Sequence, residues 1–524
     1  MVMLVQESVA KRTAWGSSAT RRSIIKIIVT VCLLVCVLAV IILRNWTGHG
    51  ESSRNFRGSG HTDPQPLDTP SKVMSVPILH LARKVGLGVF VEAKLGHQYV
   101  TLVLDSGSTA MAVLGPQSKP DPGLIKHVCH QPDNDTRDWN YNHTYGLLPQ
   151  CTLADFHNTS TRAQCSMGSY DPSKSFTAYS WPRAASKFCS VPVPENDTCM
   201  SHEVFGDGSC FLANMLKDEL TIGSYKQEVP VRAINKLAGG FQEAPSSGIM
   251  GLATKRLNCA NMSESDTCYP GAMQQLLISQ GVDRKIGFCF GRAPIPSNGT
   301  SDYIDYGTPG LMTLGGVAPQ FVKGSMHYTS LVGDAGYYTV SMLGVGVNGH
   351  VVSSNVTDSK YAVVDTGSTI MMLPNRILNE IRTAANHTRC LTDSDCRLNV
   401  QLEGVCLDLV GAMTCEHSTQ TCNPSNIAPY EVPIIGYAVL KEFYLELDLD
   451  RDRVGFAARS NRPCNPRCSS FLAEPTCSFA RGCRWVDGQC AGGKSIGGIT
   501  PSGSGVSNQC FSAQVSTLSS NGTN

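Results

Sequence analysis

Two short stretches of the sequence end in an aspartate followed by small polar residues, one in each half of the 524-residue chain. Each begins with an apolar run, Leu102–Leu104 or Ala362–Val364, and continues as Asp-[Ser/Thr]-Gly-Ser-Thr. An apolar strand carries its terminal carboxylate towards the interior, where an isolated charge is costly. Glycine lets another segment approach the backbone closely, and hydroxyls beside it can hydrogen-bond carboxylate oxygens. The duplication therefore predicts two loops that meet face to face, with the carboxylates of Asp105 and Asp365 within hydrogen-bonding range.

A simple turn at the end of a strand is the alternative interpretation of either stretch alone, since aspartate and glycine are common in turns. The matched pair favours paired chemistry. Two adjacent carboxylates cannot both ionise readily, so such a pair shares one proton and titrates as a unit. The ionised member can accept a proton from a water held between the two, while the protonated member polarises a carbonyl group. This chemistry needs neither a covalent intermediate nor a metal.

The two stretches resemble the catalytic loops of the pepsin-like aspartic proteases, in which each of two lobes supplies one D-[TS]-G-[TS] loop. The resemblance covers residues 85–459. It implies an all-β, bilobal fold with an active-site cleft between two β-rich lobes and a few short helices. It further implies a catalytic pair, two outer hydroxyls that orient it, two inner hydroxyls that tie the loops together and two glycines between them: Asp105 and Asp365, Ser108 and Ser368, Ser106 and Thr366, Gly107 and Gly367.

A glycine-rich hairpin between the two aspartate stretches, at residues 202–212, resembles the flap that covers the cleft in this family. Its tip residues are expected to contact substrate: Phe205, Gly206, Asp207 and Gly208. An ordinary Asp-Gly hairpin turn is the alternative interpretation. The flap tyrosine of the family is Phe205 here, and the tryptophan that bonds it is Ala112. Because both halves of that hydrogen bond are absent together, no polar group is stranded, and we expect a wider pocket beside Phe205.

The elements that must position these loops follow the same resemblance. Strands are expected around both loops and between the lobes, at 85–93, 99–104, 248–253, 285–291 and 310–316, and short helices at 272–280 and 375–386. A closing segment over 432–457 is similar to the last strands of the family, with Tyr437 in place of the usual aspartate. A cysteine-rich, loop-like insertion over 115–201 is similar to that of nepenthesin-type members.

An apolar segment near the amino terminus, residues 23–43, is long enough to span a bilayer as a helix. Basic residues precede it, which places the amino terminus in the cytosol. We therefore predict a cytosolic tail over 1–22, a transmembrane signal-anchor over 23–43 in a type II, single-pass orientation, and a stalk or prosegment over 44–75. A cleaved signal peptide is the alternative, but its apolar core is usually shorter and is followed by a small-residue cleavage site.

Beyond the stalk, the sequence divides into two predicted lobes and a tail. We expect an N-terminal catalytic lobe over 76–290, a C-terminal catalytic lobe over 291–460 and a cysteine-rich tail with a disordered end over 461–524. The run from Cys483 to Cys490 faintly resembles plexin-type cysteine-rich modules. A tail held only by disulfides is the interpretation that we favour.

The composition indicates a lumenal or extracellular protein. The 22 cysteines form no persuasive zinc pattern, and a disulfide framework in an oxidising compartment explains them better. A net charge of +1 gives no support for nucleic-acid binding. Sequons for N-glycosylation are spread over the chain after the apolar segment. Their asparagines are Asn45, Asn134, Asn142, Asn158, Asn196, Asn261, Asn298, Asn355, Asn386 and Asn521.

We therefore expect a membrane-tethered, monomeric aspartic endopeptidase that acts on polypeptides in the secretory or endosomal lumen. It should have an acidic optimum and need no cofactor or metal. The main alternative is a non-catalytic pepsin-like relative that binds peptides or glycans, which the loss of an aspartate or its glycine would have favoured. A disulfide-rich receptor without hydrolase ancestry would leave both duplicated loops unexplained.

Overall fold

The computed structural model describes residues 73–83, 86–120, 169–181, 189, 199–206, 208–238, 246–258, 268–291, 308–333, 336–353, 360–387, 395–416, 421–480, 482–492 and 504–510. All of them belong to one compact unit that spans residues 69–524. The predicted cytosolic tail and signal-anchor, nearly all of the stalk, and most of the insertion over 115–201 lie outside these ranges, as do the sequon asparagines other than Asn386. Within the described ranges no helix is long and apolar enough to cross a bilayer.

The described chain is built mainly from β-strands, which confirms the all-β expectation. The strands up to residue 314 are β1 (Met74–Arg83), β2 (Gly86–Leu95), β3 (Gln98–Asp105), β4 (Met111–Pro120), β5 (Tyr179–Ser180), β6 (Met200–Val204), β7 (Cys210–Ile222), β8 (Tyr225–Ala238), β9 (Gly248–Gly251), β10 (Lys285–Cys289) and β11 (Gly310–Leu314). The later strands are β12 (Val322–Ser330), β13 (Thr339–Val347), β14 (His350–Ser353), β15 (Tyr361–Val364), β16 (Met371–Leu373), β17 (Arg397–Leu402), β18 (Val405–Val410), β19 (Met413–Glu416), β20 (Thr421–Pro424), β21 (Ile427–Pro429), β22 (Ile434–Ile435), β23 (Phe443–Asp448), β24 (Arg453–Arg459), β25 (Cys483–Val486), β26 (Gln489–Gly492) and β27 (Gly505–Ser507).

Four α-helices accompany these strands in the described ranges: α1 (Ala272–Ser279), α2 (Asn375–His387), α3 (Tyr437–Leu440) and α4 (Glu474–Phe479). Helices α1 and α2 were expected from the sequence. The apolar positions at helical spacing in α2 are all buried, namely Ile377, Leu378, Ile381 and Ala385. A helix with one apolar face packs that face against the core and leaves its polar face in solvent.

The strands of the described ranges form two large sheets and two hairpins. The first sheet has the order β12-β24-β23-β10-β11-β1-β2-β3-β9-β4-β8-β7-β5, with β6 paired to β7. The second has the order β21-β16-β22-β15-β13-β17-β18-β27, with β14 paired to β13. Strands β12, β23 and β24 come from the second half of the chain but extend the sheet of the first lobe. One continuous sheet therefore runs across the junction between the lobes.

The strand ahead of each catalytic loop passes through the core. In β3, Leu102 and Leu104 are fully buried, and the strand lies between β2 on one side and β9 on the other. In β15, Ala362 and Val364 are fully buried, and the strand lies between β13 and β22. A strand that is paired on both edges has little freedom to shift. The first residue of each loop is therefore held in place by the sheet.

A crossing strand supports each loop from behind. Strand β9 runs parallel to β3, and the Leu252 N–H that follows it donates to the Asp105 carbonyl at 2.7 Å. Strand β22 runs parallel to β15, and the Asp365 N–H donates to the Ile435 carbonyl at 3.1 Å. In both lobes a parallel strand and a backbone hydrogen bond thus hold the aspartate at the end of its strand.

The insertion predicted as a loop over 115–201 is partly regular structure. Strand β4 continues to Pro120, where Lys119 and Pro120 pair with the end of β8. The prediction was wrong at this end because the 14-residue β8 offers a partner that the local sequence of β4 does not reveal. Further on, Tyr170 is fully buried and donates a hydrogen bond to Asp218 of β7, which ties this part of the insertion to the lobe.

The first part of the cysteine-rich tail packs on the N-terminal lobe. Disulfides Cys468–Cys483 and Cys477–Cys490 join α4 and its preceding turn to the β25–β26 hairpin. Apolar side chains of this module pack against Leu79 and Phe90 of the lobe. The buried Glu92 carboxylate accepts hydrogen bonds from the Leu472 and Ala473 N–H groups at 2.9 and 3.0 Å, at the start of α4. Glu92 therefore caps a helix of the tail.

The end of the tail was predicted to be disordered, and this is wrong for residues 504–510. Strand β27 pairs with β18 at the edge of the second sheet, and a disulfide joins Cys406 to Cys510. The Gln401 amide also donates to the Asn508 carbonyl at 3.3 Å. Serine and glycine dominate the local composition, but a covalent link and a free sheet edge fix this short segment. Neither is visible in local sequence.

Candidate active site

The two aspartate loops face each other at very short range. A Cβ added to Gly107 would lie 3.0 Å from the carboxyl group of Asp365, and one added to Gly367 would lie 2.3 Å from Asp105 Oδ1. A side chain at Gly367 would overlap the Asp105 carboxylate, and one at Gly107 would be in unusually tight contact with the Asp365 carboxylate. Glycine is therefore required here for the close approach that the sequence predicts.

The inner hydroxyls join the loops by a reciprocal set of hydrogen bonds. The Ser106 N–H donates to Thr366 Oγ1 at 3.0 Å, and the Thr366 N–H donates to Ser106 Oγ at 2.9 Å. Each hydroxyl in turn donates to the carbonyl that precedes the opposite aspartate: Ser106 to Val364 at 3.0 Å and Thr366 to Leu104 at 2.8 Å. Four bonds between buried groups fix the separation of the two carboxylates.

The outer hydroxyls are not equivalent. Ser368 Oγ donates to Asp365 Oδ2 at 2.6 Å, and the Gly367 N–H donates to Asp365 Oδ1 at 2.9 Å. In the first loop the Gly107 N–H donates to Asp105 Oδ1 at 2.8 Å. The Ser108 hydroxyl lies close enough to lower the pKa of Asp105, but its oxygen makes no hydrogen bond of standard geometry. Within its own loop, Asp365 therefore accepts a hydrogen bond at both oxygens, whereas Asp105 accepts one of standard geometry at Oδ1.

The two carboxylates also differ in how deeply they are buried. Asp105 is 5% exposed, while Asp365 is partly exposed. Burial raises the pKa of Asp105 well above its ordinary value, and the negative charge of Asp365 raises it further. Both effects favour the protonated form of Asp105.

The flap residues lie on the hairpin of β6 and β7. The Phe205 N–H donates to the Ser209 carbonyl and the Gly208 N–H donates to the Phe205 carbonyl, both at 2.9 Å. Gly208 has a φ of 82°, a conformation that glycine adopts without strain. Gly206 belongs to the same turn, and the predicted tip residue Asp207 lies outside the described residues.

The side chain of Phe205 packs on an apolar cluster that includes Ala112, and its ring centroid lies 5.9 Å from that of Phe211. Ala112 is fully buried. Ala112 is thus enclosed by the apolar cluster, and the wider pocket that we expected beside Phe205 stays a prediction.

A buried histidine, which the sequence did not single out, supports the second catalytic loop. Tyr437 opens α3, and its N–H donates to the Ser368 carbonyl at 2.7 Å. The Tyr437 hydroxyl lies 2.9 Å from His80 Nδ1, and the Gly291 N–H donates to His80 Nε2 at 2.9 Å. Burial lowers the pKa of His80 to about 3, with Arg459 acting in the same direction.

This histidine is neutral at ordinary pH. Because Nε2 accepts a hydrogen bond, the ring proton resides on Nδ1 and is donated to the Tyr437 oxygen. Tyr437, which replaces the usual aspartate of the family, is thus part of a link from the sheet between the lobes to the second loop. A lone histidine in an apolar strand gives no sequence signal for such a role.

The described residues contain one cluster of sulfur atoms, those of Cys396, Cys415 and Cys422, within 4.8 Å of one another. Cys415 and Cys422 form a disulfide with each other, and Cys396 is also disulfide-bonded. Metal binding requires thiolates, so these sulfurs serve the disulfide framework instead.

Comparison with known proteins agrees with the two-loop geometry. The profile of the family described as eukaryotic aspartyl protease matches residues 95–459, more than half of the chain. The chain belongs to this family. The match begins ahead of the first aspartate and ends with β24, so it includes both catalytic loops, the flap hairpin and the sheet between the lobes. Membership in the aspartyl protease family supports a peptidase function.

Individual relatives in the family are distant. Penicillopepsin-3 of Penicillium janthinellum is 26% identical over 178 residues, which cover 34% of this chain and 39% of the relative. Rhizopuspepsin-4 of Rhizopus niveus is 26% identical over 183 residues, covering 35% and 41%. The aspartic-type endopeptidase ctsD of Aspergillus fumigatus is 24% identical over 317 residues, covering 54% and 63%. Each alignment spans less than two thirds of the relative.

Proposed function

We propose that this chain is an aspartic endopeptidase that hydrolyses peptide bonds with a water activated between Asp105 and Asp365. The observation that carries the proposal is the close approach of the two loops, in which each glycine lies directly against the carboxyl group of the opposing aspartate. A binding protein that had lost catalysis would not need two unlike carboxylates at this separation.

The division of labour follows from the environments of the two groups. Asp365, ionised and held by the Ser368 hydroxyl, acts as the general base that accepts a proton from the water. Asp105, protonated because it is buried beside a negative charge, donates to the scissile carbonyl oxygen. The oxygen of the water then bonds to the carbonyl carbon. Collapse of this intermediate breaks the C–N bond, and the amine leaves with a proton from the pair.

The proposal is tested by incubating the purified full chain with a peptide library from pH 3 to pH 8 and identifying the products by mass spectrometry. Pepstatin, an inhibitor of the family, and the Asp105→Asn and Asp365→Asn variants are the controls. We expect cleavage at acidic pH that pepstatin and both substitutions abolish. Cleavage that persists in both variants, or none by the wild type at any pH, would refute the proposed activity.

We further propose that residues 23–43 tether the enzyme to a membrane in a type II orientation, with its catalytic part in the secretory or endosomal lumen or outside the cell. The sequons and the disulfides support an oxidising, glycosylating compartment. Asn386 is exposed at the end of α2, where a glycan can be attached. The protein substrates, as for any endopeptidase, are polypeptides held extended in the cleft.

Two measurements test this placement in cells. Treatment with an endoglycosidase should increase the electrophoretic mobility of the chain, and alkaline carbonate should leave it in the membrane pellet. Replacing 23–43 by a cleavable signal peptide should release the protein into the medium. A chain without glycans that is extracted by carbonate would contradict the proposed location while leaving the proposed chemistry intact.

A further inference from the structure

An ion pair lies on the flap hairpin, outside the catalytic loops. Glu203 belongs to β6 and Arg232 to β8, and Arg232 Nη1 donates to Glu203 Oε2. The side chains are 21% and 12% exposed, respectively. A largely buried ion pair adds little net stability, because removing both charges from water costs about as much as their attraction gains. A role in stability alone therefore does not account for it.

Strand alternation places Glu203 on the inner face of the hairpin. Ser201, Glu203 and Phe205 lie on one face, because side chains two residues apart in a strand point the same way. Ser201 is buried and Phe205 packs on the apolar cluster beneath the flap, whereas Val204 on the other face is 44% exposed. The Glu203 carboxylate therefore points away from bulk solvent.

Tyr337 connects this carboxylate to the catalytic pair. It precedes β13 and is partly buried. Burial raises the pKa of Tyr337, and the negative charge of Glu203 raises it further. The charges of Asp105 and Asp365 act on the same phenol in the same direction. The packing places Glu203 in the same region: its partner Arg232 pairs in the sheet with Ala112, which follows the first aspartate loop, and Phe205 on the same face of the hairpin packs on the cluster that contains Ala112.

Arg232 is the fixed partner of the pair. Its backbone pairs with that of Ala112 in parallel register. Its guanidinium also donates a hydrogen bond to the Tyr269 oxygen. Burial acts to lower the pKa of Arg232, but the Glu203 carboxylate more than offsets this, so the guanidinium stays charged. Glu203 is the more exposed partner, and Arg232 engages Oε2. Glu203 Oε1 is not engaged by this bond and is the atom that we expect to accept a hydrogen bond from a ligand.

We propose that Glu203 is a specificity-determining residue that binds a basic side chain of the polypeptide substrate beside the catalytic pair. This inference rests on the proposed peptidase function. The local charges support a basic ligand: the catalytic pair carries one negative charge and Glu203 another, while Arg232 supplies a single positive one. A lysine or arginine side chain neutralises the remaining negative charge. An acidic side chain meets repulsion, and an apolar one leaves the Glu203 oxygen without a donor.

The expected effect is a change in selectivity rather than in catalysis. A hydrogen bond to a charged group contributes about 1.5–3 kcal/mol, which corresponds to a selectivity of roughly tenfold to a hundredfold. Glu203→Gln should reduce the preference for lysine over norleucine at one substrate position by about that factor. Because Glu203 is not a member of the catalytic pair, kcat/KM should fall more for peptides that carry the basic residue than for peptides that lack it.

The experiment compares cleavage profiles of the wild-type chain and three variants on a peptide library randomised at every position around the scissile bond. Glu203→Gln and Glu203→Met remove the charge. Glu219→Gln is the matched control, because Glu219 lies on β7 and pairs with the half-exposed Lys226 by the turn between β7 and β8. Values of kcat/KM are then measured for peptide pairs that differ only in lysine or norleucine at the enriched position, and thermal unfolding checks that each variant folds.

Enrichment of basic residues at one position in the wild type and in Glu219→Gln, lost in the Glu203 variants, supports the inference. Absence of any basic enrichment in the wild type overturns it, even if a Glu203 variant fails to fold. An enrichment that survives in Glu203→Gln or in Glu203→Met also overturns it. Wild type that cleaves nothing refutes the peptidase function itself, so the two failures are distinguishable.

Discussion

The two catalytic loops have the same sequence pattern and the same cross-loop hydrogen bonds, but their aspartates lie in different surroundings. Asp105 is buried and its outer serine, Ser108, makes no hydrogen bond of standard geometry, whereas Asp365 is partly exposed and bonded by Ser368. In the proposed mechanism, this asymmetry in burial and hydrogen bonding is what makes one copy of the motif an acid and the other a base. The duplicated motif places the two aspartates opposite each other, and the surroundings of each aspartate determine its proposed role.

The strongest test of this comparison removes the charge from each loop. Asp105→Asn and Asp365→Asn should each reduce kcat by about three orders of magnitude or more, since acid–base catalysis contributes roughly 10²–10⁴-fold and neither amide can share a proton. Steady-state kinetics on a cleaved peptide measure the loss. Asp283→Asn is the control, because Asp283 forms an exposed ion pair with Lys285. Activity in either variant above one tenth of the wild type would contradict the division into acid and base.

The pH profile sharpens the assignment of the proton to Asp105. Because burial and Asp365 raise the pKa of Asp105, the protonated form should persist to higher pH than an ordinary carboxyl group allows. Activity should fall as pH rises through that pKa, by about tenfold per unit beyond it, and should also fall at low pH when the pair takes up a second proton. A measurement of kcat/KM from pH 2 to pH 9 gives both limbs. A profile that is flat up to pH 9 would be inconsistent with a shared proton.

The outer serines should differ in their effects. Ser368→Ala removes a bond to a charged oxygen at 2.6 Å and should lower kcat/KM by about tenfold or more. Ser108→Ala removes a hydroxyl that makes no standard hydrogen bond, and the loss should be several times smaller. Kinetics of the two variants side by side, at the pH of maximum activity, provide the measurement. Equal losses would show that the two loops are functionally symmetric after all.

The smallest expected effect concerns the histidine that supports the second loop and has no counterpart in the first. His80→Phe and Tyr437→Phe each strand a buried polar group, at about 1–3 kcal/mol of stability, and should lower kcat a few-fold. Tyr444→Phe is the control, since this tyrosine is fully buried and bonded to Thr313 away from the loop. It should lose stability without losing activity. Thermal unfolding and kcat measure the two effects.

Stability of the wild type should also depend on His80 as the pH falls. The pKa of His80 is about 3 when folded and 6.5 when exposed, so the unfolded chain takes up a proton that the folded chain does not. The His80 contribution therefore lowers stability progressively between about pH 6.5 and pH 3. Unfolding temperatures across this range should fall less in His80→Phe than in the wild type. Parallel curves would contradict the assignment.

Much of the site could be predicted from the sequence because its signals are local. The apolar run, aspartate, hydroxyl and glycine occupy consecutive positions in each loop, and the duplication reports that the two copies meet. The partners of Glu203 and of His80 could not be predicted in this way. Arg232 lies two strands away from Glu203, and Tyr437 lies more than three hundred residues after His80. Contacts of this kind depend on sheet order, which no local pattern encodes.

The flap and the tail show the same limit. The hairpin was predictable from its Gly-Asp-Gly turn, but the apolar filling around Ala112 depends on side chains from β7, β8 and β9. The tail was expected to be held by disulfides, yet the sequence alone allows many pairings. The pairing of Cys406 with Cys510 converts a Ser-Gly-rich end into a strand of the second sheet.

The disulfides that involve the cysteine-rich tail can form only late in synthesis. Cys289 and Cys406 leave the ribosome well before their partners Cys464 and Cys510, so each waits as a free thiol while the strands around it fold. The outer edge of the second sheet likewise stays open until β27 has been synthesised. Formation of both disulfides should therefore wait for the partner cysteines, and alkylation of shorter nascent chains by N-ethylmaleimide should trap Cys289 and Cys406.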